Sequence, residues 1–320
     1  MAKTVFGVDI GGSSLKFGAF GEDGSLIEKW SVPTDLGDGG ERIIPDTAAS
    51  IRDRCALMGL SVSDIAGIGV GIPGAVGHDG WVNGAVNLGW GLKNVEGELA
   101  VACGVPVKAE NDANAALLGE AYAGAAKDSG DIIMITLGTG VGGGIISGGR
   151  LIKGAAGSGA EIGHINVDPE ETEYCSCGAR GCLEQYCSIR GLTRIASRLL
   201  QTFPSGSRLR EMSASQTGFS VRELFDAARA GDEIAGLAVN IACGYLGRGA
   251  ACAANITNPS VILIGGGISG SADMIIERMK PAFDHYIFPA CRGVDIRPAA
   301  LGNDAGIIGA SRLIFDGQRI

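Results

Sequence analysis

The sequence predicts an α/β protein built from two similar halves. Three observations carry this reading. Short apolar, β-branched segments recur along the chain: "TVFGVDI", "LKFGAF", "IAGIGVGI", "VPVKAE", "DIIMITL", "GGIIS" and "PSVILIGGG". Between them run stretches with apolar residues at helical spacing. These are Thr47 to Leu57, Ala113 to Ala126, Leu183 to Leu200, Val221 to Ala230, Glu233 to Ala254 and Ala305 to Phe315. The third observation is an internal echo: strand, Gly-rich turn, strand appears as "VFGVDIGGSSLKFGAF" and again as "IIMITLGTGVGGGIIS". A period this long is not a solenoid repeat. It suggests two related halves, each offering a glycine hairpin to one cleft.

A chain of 320 residues is long enough for two cores, since single cores stop growing near roughly 250–300 residues. The expected division is a smaller α/β domain, residues 1–115 with 303–320, and a larger one, 116–302. Ser220-Val-Arg-Glu223 has capping-box spacing, and Asn303-Asp304 precedes the last helix as a cap. The formal charge of -9 argues against nucleic-acid and anionic-membrane partners. No segment is expected to offer the ~18 apolar residues that span a bilayer, and the N-terminus lacks a signal-type apolar region. The reading is a cytoplasmic protein, whose cysteines are thiols or metal ligands.

Glycine is abundant, 54 residues, and marks three turns of interest. Gly138-Thr139-Gly140-Val-Gly142-Gly143 matches GxGxxG, yet a dinucleotide loop must open a helix. Here further glycines lead into "IISGG", so the loop should turn back into a strand. Such a hairpin still suits phosphate, because successive backbone N–H groups form an anion-binding concavity. Asp9 stands just before Gly11-Gly12, and a carboxylate beside phosphates points to Mg²⁺. Gly265-Gly266-Gly267 after "SVILI" is the third turn.

In "VKAENDANAALLGEAY" a strand should end at Glu110 and a helix begin near Asp112. Asp there is a good cap; it is also placed to act as a general base, kept ionised by the helix N-terminus, in phosphoryl transfer. Farther on, His164, Cys175, Cys177 and Cys182 make a Cys₃His set, a ligand group for tetrahedral Zn²⁺. Gly178 and Gly181 allow the sharp turns such a loop needs, and Arg180 could offset thiolate charge. Cys187 reads as an ordinary buried thiol.

Asp9-Ile-Gly-Gly12, Asn111-Asp112, Leu137-Gly-Thr-Gly140, Glu161-Ile-Gly-His164 and Cys175-x-Cys177-Gly-x-x-Gly-Cys182-x-Glu184, in this order, resemble the ROK family of repressors, open reading frames and kinases. The likeness is greatest to its bacterial glucokinases. The resemblance implies an actin-like, hexokinase-like ATPase fold and transfer of the ATP γ-phosphoryl group to a hexose, with Mg²⁺. It assigns Asp112 as base toward the sugar 6-hydroxyl, and Asn87, Asn111, Glu161, His164 and Glu184 as ligands of the other hydroxyls. Gly11, Gly12, Gly138, Thr139, Gly140, Gly265, Gly266 and Gly267 would meet the nucleotide. Lys16 would either approach its phosphates or stand in solvent. Zinc would fix the loop that presents Glu161 and Glu184, with His164 serving metal and sugar through its two ring nitrogens.

Ala160 stands where many family glucokinases have glycine. Other acceptors therefore stay open: mannose, fructose, N-acetylglucosamine or N-acetylmannosamine. Homo-oligomers, dimers or tetramers, are implied by the same resemblance. A sugar-sensing regulator without turnover and a non-sugar ATPase of the same fold are the rival readings. The early first strand, by Thr4, is expected to leave no room for a DNA-binding domain.

Overall fold

The computed structural model describes residues 3–204, 206–213 and 218–315. The strands are β1 (Thr4–Ile10), β2 (Ser14–Phe20), β3 (Leu26–Pro33), β4 (Ile65–Ile72), β5 (Ala75–Val76), β6 (Val82–Asn83), β7 (Leu92–Lys93), β8 (Val107–Asn111), β9 (Ile132–Leu137), β10 (Val141–Ser147), β11 (Arg150–Leu151), β12 (Val261–Gly265) and β13 (Asp295–Pro298). The helices are α1 (Ile43–Met58), α2 (Val95–Cys103), α3 (Asp112–Ala123), α4 (Glu184–Cys187), α5 (Ile189–Thr202), α6 (Arg208–Ser213), α7 (Val221–Arg229), α8 (Glu233–Thr257), α9 (Ala272–Tyr286) and α10 (Ala305–Phe315).

The chain forms two compact units, residues 1–130 with 144–160 and 300–320, and residues 131–143 with 161–299. Residues 1–2 and 316–320, which the expected small domain included, lie outside the described ones. The first unit also takes in residues 116–130, 144–160 and 300–302, which the sequence reading placed in the larger domain; the first of these stretches includes the rest of α3. The reason is close backbone packing of α3 on α10. A Cβ on Gly309 would collide with the Ala115 carbonyl oxygen, and one on Gly119 with that of Ala305.

The first unit holds a sheet of order β3-β2-β1-β4-β8, antiparallel through β3, β2 and β1 and parallel from β1 to β4 to β8. The parallel strands are covered on both faces and so read as near-continuous apolar runs. α10 lies on one face and contacts β1 and β4, seated where Gly7 and Gly69 leave its carbonyls room. α1 joins Phe6 and Phe17 in the same buried cluster, against which Trp30 packs. Trp30 stacks on Phe17 with centroids 5.0 Å apart.

A second five-stranded sheet has the order β11-β10-β9-β12-β13, with β9, β12 and β13 parallel. In the second unit α8 packs along α9 and touches α5 and α7. By length and composition α8 is long and apolar enough to cross a membrane, against the sequence expectation; its apolar window is 61% buried inside the unit. Its Gly247 lies against the Met279 carbonyl of α9, where a Cβ would not fit.

Nine of the described elements had no sequence reading behind them: β3, β5, β6, β7, β11, β13, α2, α6 and α9. β3 alternates exposed and half-buried positions, an edge-strand pattern rich in charge, and α9 carries Pro281 in its interior. The helical stretch from Leu183 breaks at Ser188, whose backbone is extended and whose side chain caps α5 by accepting from Gly191 N–H.

Candidate active site

In the first unit, the β1–β2 register sets Asp9 opposite Lys16. Their side chains form an ion pair of 2.9 Å. Lys16 is half-buried, its ammonium against the Asp9 carboxylate. Gly11 closes the turn, its N–H donating to Ser14 O, while exposed Gly12 lies against the carbonyl of Asn87. Asn87 itself is exposed in a short 3-10 turn, Val86–Leu88.

Strand β8 delivers Asn111 and Asp112 to the start of α3. Asn111 caps the helix, its Oδ1 accepting from Ala113 and Asn114 N–H, and its Nδ2 donates to Gly74 O at 3.1 Å. Asp112 is half-buried, with Oδ1 accepting from Ala113 N–H at 2.8 Å. A carboxylate in the first turn is favoured in its ionised form by the helix dipole. Beneath them Glu110, fully buried, accepts from Asn111 N–H and Asn114 Nδ2.

β9 and β10 form the expected hairpin, and Gly138 N–H donates to Gly140 O across its tip. Thr139 is exposed at that tip. Parallel pairing sets Gly265 beside Thr136, so the third glycine turn lies next to the phosphate-type loop. Gly266 has φ +92°, and a Cβ there would strike the Leu137 backbone. Glu184 accepts from Val141 N–H and from Ser176 Oγ, each at 3.0 Å.

The donor atoms of His164, Cys175, Cys177 and Cys182 all lie within 4.8 Å of one another. Cys175 Sγ faces His164 Nδ1 at 3.9 Å, and Cys177 and Cys182 sulfurs are 3.7 Å apart. The loop closes through left-handed Gly178 and Gly181. Arg180 stacks on Tyr174 and donates to its hydroxyl. Glu161 precedes His164 in the same turn, exposed, its backbone carbonyl accepting from His164 N–H at 3.0 Å. Ala160 adopts φ +63°, so the loop keeps a glycine-like backbone without glycine. Cys187 is buried and donates to Ala242 O, and burial raises its thiol pKa well above the usual value.

The ROK family model matches residues 5–316. The chain belongs to the ROK family. Among ROK relatives, a glucokinase of Halalkalibacterium halodurans is 39% identical over 310 residues, 96% of this chain and 94% of the relative. A solved ROK family glucokinase from Streptomyces griseus, in complex with glucose and AMPPNP, superposes with TM-score 0.80 at 33% identity, over 97% of this chain and 98% of that one. The ROK hexokinase of Thermus thermophilus gives TM-score 0.81 at 33% identity, over 96% of both chains.

Two features of this ROK chain escaped the sequence reading. Lys153 and Glu110 form a buried ion pair of 3.0 Å. Beside the cysteine loop, Asp168 accepts from the hydroxyls of Tyr186 and Tyr245, whose rings stack with centroids 3.9 Å apart. The Tyr186 hydrogen bond holds the Asp168 carboxyl below its usual pKa. Glu171 meets Arg194 at 2.9 Å, and Glu173 pairs with Arg194 and Arg198. The acidic run "DPEETE" was the available signal.

Proposed function

We propose that this chain is an ATP-dependent hexose kinase of glucokinase type, which transfers the γ-phosphoryl group to the 6-hydroxyl of a hexose, glucose foremost. The observation that carries the reading is Asp112, a carboxylate in the first turn of α3 with one oxygen held by Ala113 N–H. Its relatives' activity supports the same reading. The sugar 6-oxygen attacks the γ-phosphorus, its proton passes to the Asp112 carboxylate, and the bond to the ADP oxygen breaks. Asn111, fastened by its cap and by Gly74, keeps that carboxylate in place. Asn87, Glu161, His164 and Glu184 pair with the remaining hydroxyls, and a site built this way rejects sugars that lack one.

The glycine turns at Gly11-Gly12, Gly138-Thr139-Gly140 and Gly265-Gly266-Gly267 receive the nucleotide through backbone N–H groups. Mg²⁺ supplies charge neutralisation on the phosphates, with Asp9 and its partner Lys16 nearest to the first turn. The Cys₃His donor set fits one Zn²⁺ by number, type and spacing. Zinc supplies structure here rather than chemistry, tying Glu161 and Glu184 to one loop. With Nδ1 toward the thiolates, His164 keeps Nε2 for a hydroxyl. The net charge of -9 supports a cytoplasmic enzyme acting on small molecules, without nucleic-acid or membrane partners. We extend the proposal to a homo-oligomer.

A coupled assay with ATP, Mg²⁺ and glucose, mannose, fructose, N-acetylglucosamine and N-acetylmannosamine tests this. Glucose should give the highest kcat/KM. A different preferred sugar reassigns the acceptor, and no turnover with any of them overturns the kinase reading. Asp112→Ala should abolish turnover while sparing sugar binding.

A further inference from the structure

We infer that Glu184 is a positioning residue for the phosphoryl donor, bracing the Gly138–Val141 loop; this rests on the reading above that the loop receives the nucleotide phosphates. Glu184 Oε2 accepts from Val141 N–H at 3.0 Å, immediately after the loop, and Oε1 is fixed by Ser176 Oγ at 3.0 Å. A Cβ on Gly140 would collide with Glu184 Oε2, so the second glycine of the turn makes room for this carboxylate. Five residues on, Ile189 N–H donates to Gly138 O at 2.8 Å. The segment 184–189 thus holds both flanks of the loop and leaves exposed Thr139 at its tip. On the other side Gly163 sits against the Val141 carbonyl, where a Cβ would not fit.

A glycine-rich loop is expensive to order, because every residue loses backbone entropy and glycine loses most. A brace present before the ligand arrives lowers that cost at binding. Direct contact between Glu184 and phosphate would be repulsive. Its favourable effect on an anionic donor is therefore positional: it occupies Val141 N–H and fixes the backbone that aims the neighbouring N–H groups. Ser176 makes the cysteine loop part of the same brace.

The test is calorimetric titration of the whole protein with AMPPNP and Mg²⁺ in the absence of sugar. Glu184→Ala should weaken binding about tenfold, the value of one hydrogen bond to a charged group, and Ser176→Ala about threefold. Glu184→Gln should restore near-normal affinity, since its amide oxygen accepts from Val141 N–H and its NH₂ donates to Ser176. Val101→Ala, a change on the exposed face of α2 outside the binding machinery, should leave nucleotide affinity unchanged. Metal content and melting temperature of each variant report whether the cysteine loop is intact; if Glu184→Ala loses it, the Ser176→Ala and Glu184→Gln pair decides. Wild-type nucleotide affinity in both Glu184→Ala and Ser176→Ala overturns the inference. Wild-type protein that binds no nucleotide instead overturns the kinase reading, and the two failures are told apart by the wild-type titration alone.

Discussion

Lys153 Nζ lies 3.0 Å from Glu110 Oε2, with 4% and 0% of the two side chains exposed. Removing one partner strands a buried charge, which costs about 3–5 kcal/mol, whereas removing both is far milder. Lys153→Met should therefore lower unfolding free energy by about 3–5 kcal/mol, and Lys153→Met with Glu110→Gln should recover most of that. Urea denaturation of the two variants checks it. A single variant as stable as the double one would mean the pair is not coupled.

Ala160 holds φ +63°, a left-handed conformation that costs an L-residue about 1–2 kcal/mol. Glycine relieves that strain but adds freedom to the unfolded chain. The balance favours Ala160→Gly by about 0.5–1 kcal/mol, read as a higher urea midpoint with unchanged slope. A loss of stability would show that the surroundings have adapted to the methyl group.

The cysteine cluster should carry about one zinc per chain by elemental analysis. Cys177→Ala should lose both the metal and most of the sugar affinity, as should treatment with a strong chelator. Zinc added back should rescue the chelated protein but not the variant. Purified protein with full sugar affinity and no metal would contradict the assignment.

Burial pushes the Glu171 carboxyl up, but Glu173 N–H, the Tyr186 hydroxyl and Arg194 outweigh it and hold its pKa at about 2, against 4.5 for the free group. A carboxyl depressed by folding adds stability above its unfolded pKa and loses it as pH falls through the folded one. Glu171→Gln should therefore destabilise the protein at pH 7 by an amount on the order of 3 kcal/mol. That gap should close as pH drops from about 4.5 toward 2. Thermal melts of both proteins across that range provide the check.

The sequence was most legible where the chemistry is local. Cys175, Cys177 and Cys182 fall within eight residues, joined by glycines that allow the turns, and the four donor atoms do come together. The β9–β10 hairpin was readable because Gly142, Gly143 and Gly144 oppose a helix. The Lys153–Glu110 pair was not, since 43 positions separate its members and a lone loop lysine reads as solvated. Lys16 was half readable: a turn at Gly11–Ser13 sets the register that brings it to Asp9. α9 stayed hidden because Pro281 interrupts a pattern that tertiary packing against α8 restores.

The seating of α10 also sets an order of assembly during synthesis. The second unit is complete once residue 299 has emerged, and its strands and helices can close while translation continues. The first unit has made β1 through β8 long before, yet the bare backbones of Gly7, Gly69 and Gly119 wait for residues 305–315. Until the ribosome releases that helix, one face of the earliest sheet stands open to water and to chaperones. β1 and β4 are thus sealed only after α10 has been made.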